Sequence, residues 1–437
     1  MTIFKNVAVA VVLCCLLSTA SHADSTTGLA EPGNELKPLT QQLEDSKVGK
    51  WLSVWGGYSL LLGYSSLDQG TSHTNNLQFG LRSNPVKPLT LDISMSYASD
   101  LAKLSDLVEQ RNFHLDRGYA TLEIMDKRLK LAAGRRPLGD SVPLSYLQNK
   151  DQIDERGNPS LLETFHYDGF TLSYAPENLS FLGSHWRVGY GYGYDTAYTS
   201  HMDTHTNSQV LLLALVPVNL DNAKVWFQWM RGFEIFDSVQ MTNTAFGNTA
   251  PSTSLGSIDW FSAGARGNLK LGPGDLHGFA DFGMSVTRPN GNTSSSAGFQ
   301  GLLSGAFFAQ DSNPKDQTGY AVYTGIRYDL PSLTKIGFEY NYGSKFWVTS
   351  TAGGKTGTRG NVFEPFIIQE INLKPVTSIF QKTFFRAGYQ YYDYEYTGSN
   401  SWVGAPIKIS DIASGMLLLQ SPINHSYSVY GAFEVHF

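Results

Sequence analysis

The chain closes on SYSVYGAFEVHF, residues 426–437. As an extended strand, this stretch puts Tyr427, Val429, Phe433, Val435 and Phe437 on one face and Ser426, Ser428, Glu434 and His436 on the other. Terminal residues usually fray because nothing ties them down. Alternation carried to the last position therefore predicts a strand paired into a sheet up to Phe437, with its apolar face against a greasy surrounding.

The same period of two runs through the chain from Trp51 onward. In LTLDISMSY (89–97), Leu89, Leu91, Ile93, Met95 and Tyr97 oppose Thr90, Asp92, Ser94 and Ser96. RVGYGYGYD (187–195) sets tyrosines against glycines, and KIGFEYNYG (335–343) sets Ile336, Phe338, Tyr340 and Tyr342 against Gly337, Glu339 and Asn341. There are about sixteen such segments of roughly ten residues, from 51–64 to 422–437. Short turns such as GPGD and PSLT alternate with long Gly/Ser/Asn-rich connections such as TSTAGGKTGTRG. An even number of alternating strands with unequal connections describes an all-β fold, a transmembrane antiparallel barrel of about 16 strands with short periplasmic turns and long extracellular loops. Backbone groups in lipid must all be paired, so a spanning sheet has to close on itself. Aromatics at strand ends (Trp51, Trp55, Trp226, Trp229, Tyr392, Tyr394, Tyr396) fit interfacial girdles. A soluble sandwich would alternate too but does not account for the connection lengths, and no propeller repeat of about 40 to 50 residues is visible.

The amino-terminal end agrees. Lys5, the apolar run VAVAVVLCCLL and STASHA, with small residues at Ser21 and Ala23, read as a signal peptide over 1–23 cleaved before Asp24. Residues 24–48 are polar, with Pro32 and Pro38, and read as a periplasmic tail without a TonB box; the barrel is expected over 49–437. Both cysteines, Cys14 and Cys15, fall in the cleaved segment, so neither a disulfide framework nor a thiolate zinc site is expected. A net charge of −6 argues against a nucleic-acid partner.

FEYNYGSKFWV (338–348), TRGNVFEPFIIQ (358–369) and FFRAGYQYYDYEYTGSNSWVGAP (384–406) resemble a largely uncharacterised family of porin-like proteobacterial outer-membrane proteins. AAGRRPLGDSVP (132–143) and YDGFTLSYAP (167–176) resemble its earlier segments. It also resembles siderophore porins of the legiobactin-receptor type. The resemblance implies a sixteen-stranded barrel that moves solutes across the outer membrane, and it assigns no substrate.

Nothing in the chain has the form of an active site, so no enzyme, cofactor or metal is expected. TAGGKTG lacks the first glycine of a phosphate-binding loop, having Thr349 there. His201, Asp203 and His205 in HMDTHT could reach one metal ion but read better as a solvated loop. The polar strand faces point into the lumen and place Arg82, Asp92, Arg136, Arg187, Asp281, Glu339 and Arg386 there, a wet interior of mixed charge. In sixteen-stranded porins the third external loop often folds inward; the loop at about 138–164 either stays external or does the same, in which case Asp151, Asp154 and Glu155 face Arg82, Arg136 and Arg187 across a constriction. The loops near 287–317 and 345–363 are expected to face outward. Phe437 is the expected membrane-assembly signal. Expected partners are outer-membrane lipid and lipopolysaccharide, the barrel-assembly machinery, small polar solutes or a metal-chelate ligand, and further copies in a homo-oligomer. A passive porin is the primary expectation. A TonB-independent ligand-specific uptake barrel and a non-conducting structural or adhesive barrel are the alternatives.

Overall fold

The computed structural model describes residues 52–67, 69–100, 113–137, 161–162, 166–192, 209–236, 254–294, 300–303, 314–350, 354–372, 382–412 and 422–436. Sixteen long strands close into one antiparallel barrel. They are β1 (Leu52–Ser65), β2 (Gly70–Val86), β3 (Leu89–Asp100), β4 (Phe113–Ile124), β5 (Leu129–Pro137), β6 (His166–Tyr174), β7 (His185–Tyr192), β8 (Gln209–Asn219), β9 (Ala223–Phe236), β10 (Ser254–Leu271), β11 (Gly274–Pro289), β14 (Gln317–Asp329), β15 (Thr334–Gly343), β16 (Gly360–Glu370), β17 (Lys382–Tyr394) and β18 (His425–His436). The short β12 (Thr293–Ser294) and β13 (Gln300–Gly301) pair only with each other, inside the connection after β11. Each long strand pairs with its neighbours in sequence, and β1 seals the barrel against β18 from Gly57↔His436 to Ser65↔Ser428. The strand anticipated at the carboxyl end is thus a closing seam, while Phe437 itself lies outside the described residues.

An even strand number brings the start of β1 and the end of β18 to one rim, here called the terminal rim. Eight connections cross the opposite, loop rim; loop 3 is 138–165, loop 6 is 290–316, loop 7 is 344–359 and loop 8 is 395–424. Loop 1 is only 66–69.

The two faces of the wall differ as the pleat requires. On β3, Leu91, Ile93 and Met95 are 38%, 49% and 44% exposed, while Asp92 and Ser94 between them are 1% exposed. Phe170, Leu213, Phe227, Phe282, Ile336 and Val429 continue the exposed apolar face around the barrel. A soluble monomer rarely shows so large an apolar surface, whereas lipid solvates it at no cost.

Sixteen strands about 4.8 Å apart and tilted by about 40° enclose a cylinder roughly 30 Å across. Side chains of the wall cannot fill that width, so loops do. Two buried apolar clusters lie inside the barrel, each joining wall to loop. In the first, Val210, Leu212, Met230, Ile258 and Trp260 of β8, β9 and β10 pack against Leu162, Leu302, Leu303, Val348 and Trp402. In the second, Phe279, Tyr323, Phe366 and Phe384 of the opposite strands pack against Leu161 and Trp347.

This packing corrects three expectations. The lumen is not polar throughout: on β8, for example, both faces are apolar, because one meets lipid and the other meets loops. Loop 7 turns into the barrel, where Thr349, Ser350, Lys355 and Thr356 are buried. Trp226 is not a girdle residue, since its indole N–H needs an acceptor and finds Asp281 inside the wall. Trp55 lies over Gly80 on the inner face as well.

Candidate functional site: the lumen and its loop pack

Loop 3 reaches across the barrel at its end. The Leu161 amide donates to Asp281 Oδ2 (2.6 Å), although β5 and β6 lie five or more strands from β11 around the wall. Asp281 also accepts from Trp226 Nε1 (3.0 Å) and Ser262 Oγ (2.8 Å) at Oδ1. This buried carboxylate therefore anchors the loop through neutral donors, each satisfying one of its lone pairs. Gly264 and Gly283 leave room for the arrangement. A Cβ on Gly264 would lie 2.3 Å from Trp226, and one on Gly283 would lie 2.8 Å from both Leu161 and Trp347.

Loop 7 spans from β15 to β10. Gly319 of β14 lets its backbone lie directly on the wall, where a Cβ would fall 2.2 Å from the Trp347 nitrogen. Val348 then donates its N–H to Ser285 Oγ (3.2 Å) and accepts from Trp260 Nε1 (3.1 Å) through its carbonyl. Trp347 Nε1 closes the loop on itself by donating to the Thr356 carbonyl (2.7 Å).

Two cations hold this loop down. Glu339 of β15 and Glu364 of β16 stand directly opposite in register, both inward and both 1% exposed. Two buried carboxylates at one cross-strand position repel, and Lys355 Nζ of loop 7 bonds to both. Tyr323 and Tyr430 donate their hydroxyls to Glu339 (2.9 Å) and Glu364 (2.7 Å), and the ammonium also lies 5.1 Å from the Tyr323 ring centre. Burial lowers the pKa of the Lys355 ammonium, but the two carboxylates more than offset this, and it stays raised and charged. Arg359 joins loop 7 to loop 8. Its guanidinium donates to the carbonyls of Trp347 (3.1 Å), Thr397 (3.2 Å), Gly398 (2.6 Å) and Ser401 (2.6 Å). Loop 8 binds loop 6 in turn through Leu303 N to the Trp402 carbonyl (2.9 Å) and Gly404 N to the Gly301 carbonyl (2.9 Å). Loops 6, 7 and 8 with the end of loop 3 form one pack on the β8–β17 side of the lumen.

The β1–β7 side is built differently. Its inward positions include Ser59, Gly63, Ser72, Asn76, Gln78, Ser94, Thr171 and Gly189, which are small or polar. Ser72 and Asn76 are exposed to the lumen.

Arg82 and Arg187 both face inward. Arg82 bonds Asp92, its cross-strand partner, through Nε (2.8 Å) and Nη2 (2.7 Å), and Arg187 Nε donates to Ser173 Oγ (3.3 Å). Arg136 is paired with Tyr167 in register. Counted from the terminal rim, Arg187 is the third residue of β7, Arg82 the fifth of β2 and Arg136 the eighth of β5. The five-residue spread is on the order of 16 Å along a strand, so the arginines occupy different depths. The side chain of Arg136 and all of Asp151, Asp154, Glu155, His201, Asp203 and His205 lie outside the described residues. Among the described residues, Lys355, Arg359 and Asp281 organise the loop pack. A trace of Lys355 was present in the sequence: Glu339 and Glu364 fall inward on adjacent strands, and the loop between them carries a lysine.

A closed sixteen-stranded barrel with an apolar outer belt and loops folded into its lumen has the porin fold. The family described as "Protein of unknown function (DUF3373)" matches residues 80–437, and the chain belongs to that family. No curated protein matches it. Among solved structures, OprB of Pseudomonas putida aligns with a TM-score of 0.53 at 10% identity, over 93% of this chain and 100% of its own. The anion-selective porin of Comamonas acidovorans (TM-score 0.48, 9% identity, 88% and 99% covered) and OmpF of Salmonella typhi (0.48, 12%, 88% and 97%) are also similar. At these identities the likeness is one of fold.

Proposed function

We propose that the protein is an outer-membrane channel through which small hydrophilic solutes diffuse passively along the β1–β7 wall. The observation that carries this reading is the asymmetry of the lumen: small and polar inward residues line one side, and the loop pack covers the other. In this reading the terminal rim faces the periplasm, the signal peptide (1–23) is removed and the tail (24–48) stays periplasmic. Phe437 serves the assembly machinery as its signal. Arg82, Arg136 and Arg187 line the path, with Asp151, Asp154 and Glu155 of loop 3 facing them.

A second reading, uptake of a specific ligand such as a metal chelate, draws support from the loop pack, since tightly held loops can shape a binding pocket. Planar-bilayer recording of the purified barrel separates the readings. Steady conductance that grows in proportion to salt is expected for a diffusion channel. Current that saturates at low solute concentration would favour the ligand-specific barrel. A barrel that inserts and conducts nothing would refute both, leaving a structural role.

A further inference from the structure

The outer wall over β9, β10 and β11 changes character at one height. Outward residues of the three strands fall in register as the rows Phe227–Ala263–Phe282, Trp229–Phe261–Met284 and Arg231–Asp259–Val286, with Ser257 and Arg288 paired one row nearer the loop rim. From Leu271 up to Phe261 each outward residue of β10 is apolar or glycine. That stretch covers about 26 Å along the axis of a barrel whose strands tilt by about 40°, close to the belt of about 25 Å that meets hydrocarbon in outer-membrane barrels. Arg231, Asp259 and Arg288 therefore stand at the loop-side edge of the belt, at headgroup level.

In this cluster the carboxylate is covered and the cations are not. Asp259 is 2% exposed, whereas the side chains of Arg231 and Arg288 are 30% and 39% exposed. Both guanidinia close on one oxygen, Asp259 Oδ2, with Arg288 Nη1 at 2.6 Å and Arg231 Nη1 at 3.7 Å, and Trp229 Nε1 donates to Oδ1 (3.1 Å). A guanidinium carries five N–H donors. Among the described residues, Arg231 makes one hydrogen bond, to Ser257 Oγ at 3.4 Å, and its Nε makes none. Beyond Asp259, Arg288 meets Asp316 of loop 6, 3.4 Å away with its side chain 59% exposed, and so open an ion pair contributes little. Arg135, on the outer face of β5, shows the closed alternative: it bonds Asp168 through two donors (3.0 and 2.9 Å), one cation to one carboxylate. Two half-exposed guanidinia over one buried carboxylate instead leave donors and positive charge for an anion in the headgroup layer.

On the hydrocarbon side of the cluster lies an apolar groove of about 560 Å³ along the outer face of β7 to β11. Trp186, Leu213, Phe227, Phe261 and Phe282 border it, and the small Ala263 sits between Phe227 and Phe282. Its volume is that of a small-ligand site. An anionic head at the arginines and an acyl chain in the groove would occupy both features at once.

We propose that this wall binds lipid A, the phosphorylated anchor of lipopolysaccharide, with Arg231 and Arg288 on one of its phosphates and an acyl chain in the groove. A phosphate monoester carries about −1.5 to −2 charges near pH 7 and so suits two guanidinia, whereas the diester of a phospholipid carries one. The inference rests on the orientation adopted in the channel reading, loop rim outward, which sets this edge in the outer leaflet; it does not need the lumen to conduct.

The test is native mass spectrometry of the delipidated full barrel in detergent, titrated with deep-rough lipopolysaccharide. Wild type should hold a stoichiometric adduct, and R231Q/R288Q should bind about tenfold or more weakly, since charge-assisted contacts are lost. A263W fills the groove without touching the charges and should weaken binding too. Should neither variant fold, wild type decides the matter, because lipid A stripped of its phosphates should bind it about tenfold or more weakly than intact lipid A. Binding that the variants or dephosphorylation leave unchanged overturns the proposal. Equal binding of phosphatidylglycerol overturns lipid A as the occupant. Association of barrels through this wall, undone by R231Q/R288Q with no lipid bound, would make it an interface between copies and overturn the site. Bilayer conductance is read separately and should be the same in R231Q/R288Q, both residues lying outside the lumen. A barrel that binds lipopolysaccharide but carries no current refutes the channel and leaves this site standing; one that conducts without binding it does the reverse.

Discussion

Lys355→Met tests whether loop 7 is held in the lumen by its buried ammonium. The substitution keeps the length of the side chain and removes the charge that separates Glu339 from Glu364. Both carboxylates are 1% exposed and face each other in register, and the Tyr323 and Tyr430 hydroxyls still donate to them. Removing one member of a buried ionic group costs about 3 to 5 kcal/mol, because the charge left behind stays desolvated. The barrel wall, closed by sixteen ladders, does not depend on this cluster, so the cost should fall on the loop. Two readouts follow it. A cysteine introduced by Thr356→Cys, at a position 1% exposed, should resist an impermeant maleimide in the parent and react when Lys355→Met is added. The denaturant midpoint of the folded barrel should fall in the same variant. The neutral triple change K355M/E339Q/E364Q should restore most of both, since replacing every partner of a buried ionic cluster together is often close to neutral. If Lys355→Met leaves the midpoint unchanged and the cysteine protected, Lys355 does not hold the loop.

Two further expectations concern other points of the chain. Gly319→Val places side-chain atoms where the Trp347 backbone nitrogen lies 2.2 Å from a Cβ, so loop 7 should lift from the wall and single-channel conductance should rise; unchanged conductance would mean that the loop does not bound the path. Deleting Phe437 should lower the amount of heat-modifiable barrel in outer-membrane fractions by more than the loss of one aromatic's burial, about 1.5 to 3 kcal/mol, explains, and normal levels without it would remove its assembly role.

Much of the wall was legible because each strand faces lipid on one side, and lipid favours an apolar residue at every second position. The seam is the clearest case: Tyr427, Val429 and Phe433 are exposed outward, and Ser426 and Glu434 are buried inward, as the alternation of the last strand required. Strand ends were less legible. β16 starts at Gly360, where a close approach to β17 rather than alternation sets the end: Gly360 has φ +139° with a Cβ position 2.1 Å from the Asp393 carbonyl. Girdle residues failed for a related reason. Trp226 shares the inward face of Lys224, Gln228 and Met230, where its indole N–H finds Asp281, whereas Trp229 lies on the face of Phe227.

The sequence by itself determined a closed sixteen-stranded barrel, its seam and the faces of its strands, since these follow from local alternation and from the requirement that every backbone group in lipid be paired. The tertiary structure alone decided what occupies the lumen. TSTAGGKTGTRG has the composition of an exposed loop, yet its lysine and arginine are buried, because Glu339, Glu364 and the carbonyls of loop 8 converge from residues far apart in the chain. A loop's composition records how freely its backbone bends. Where it comes to rest depends on partners that only closure of the barrel brings within reach.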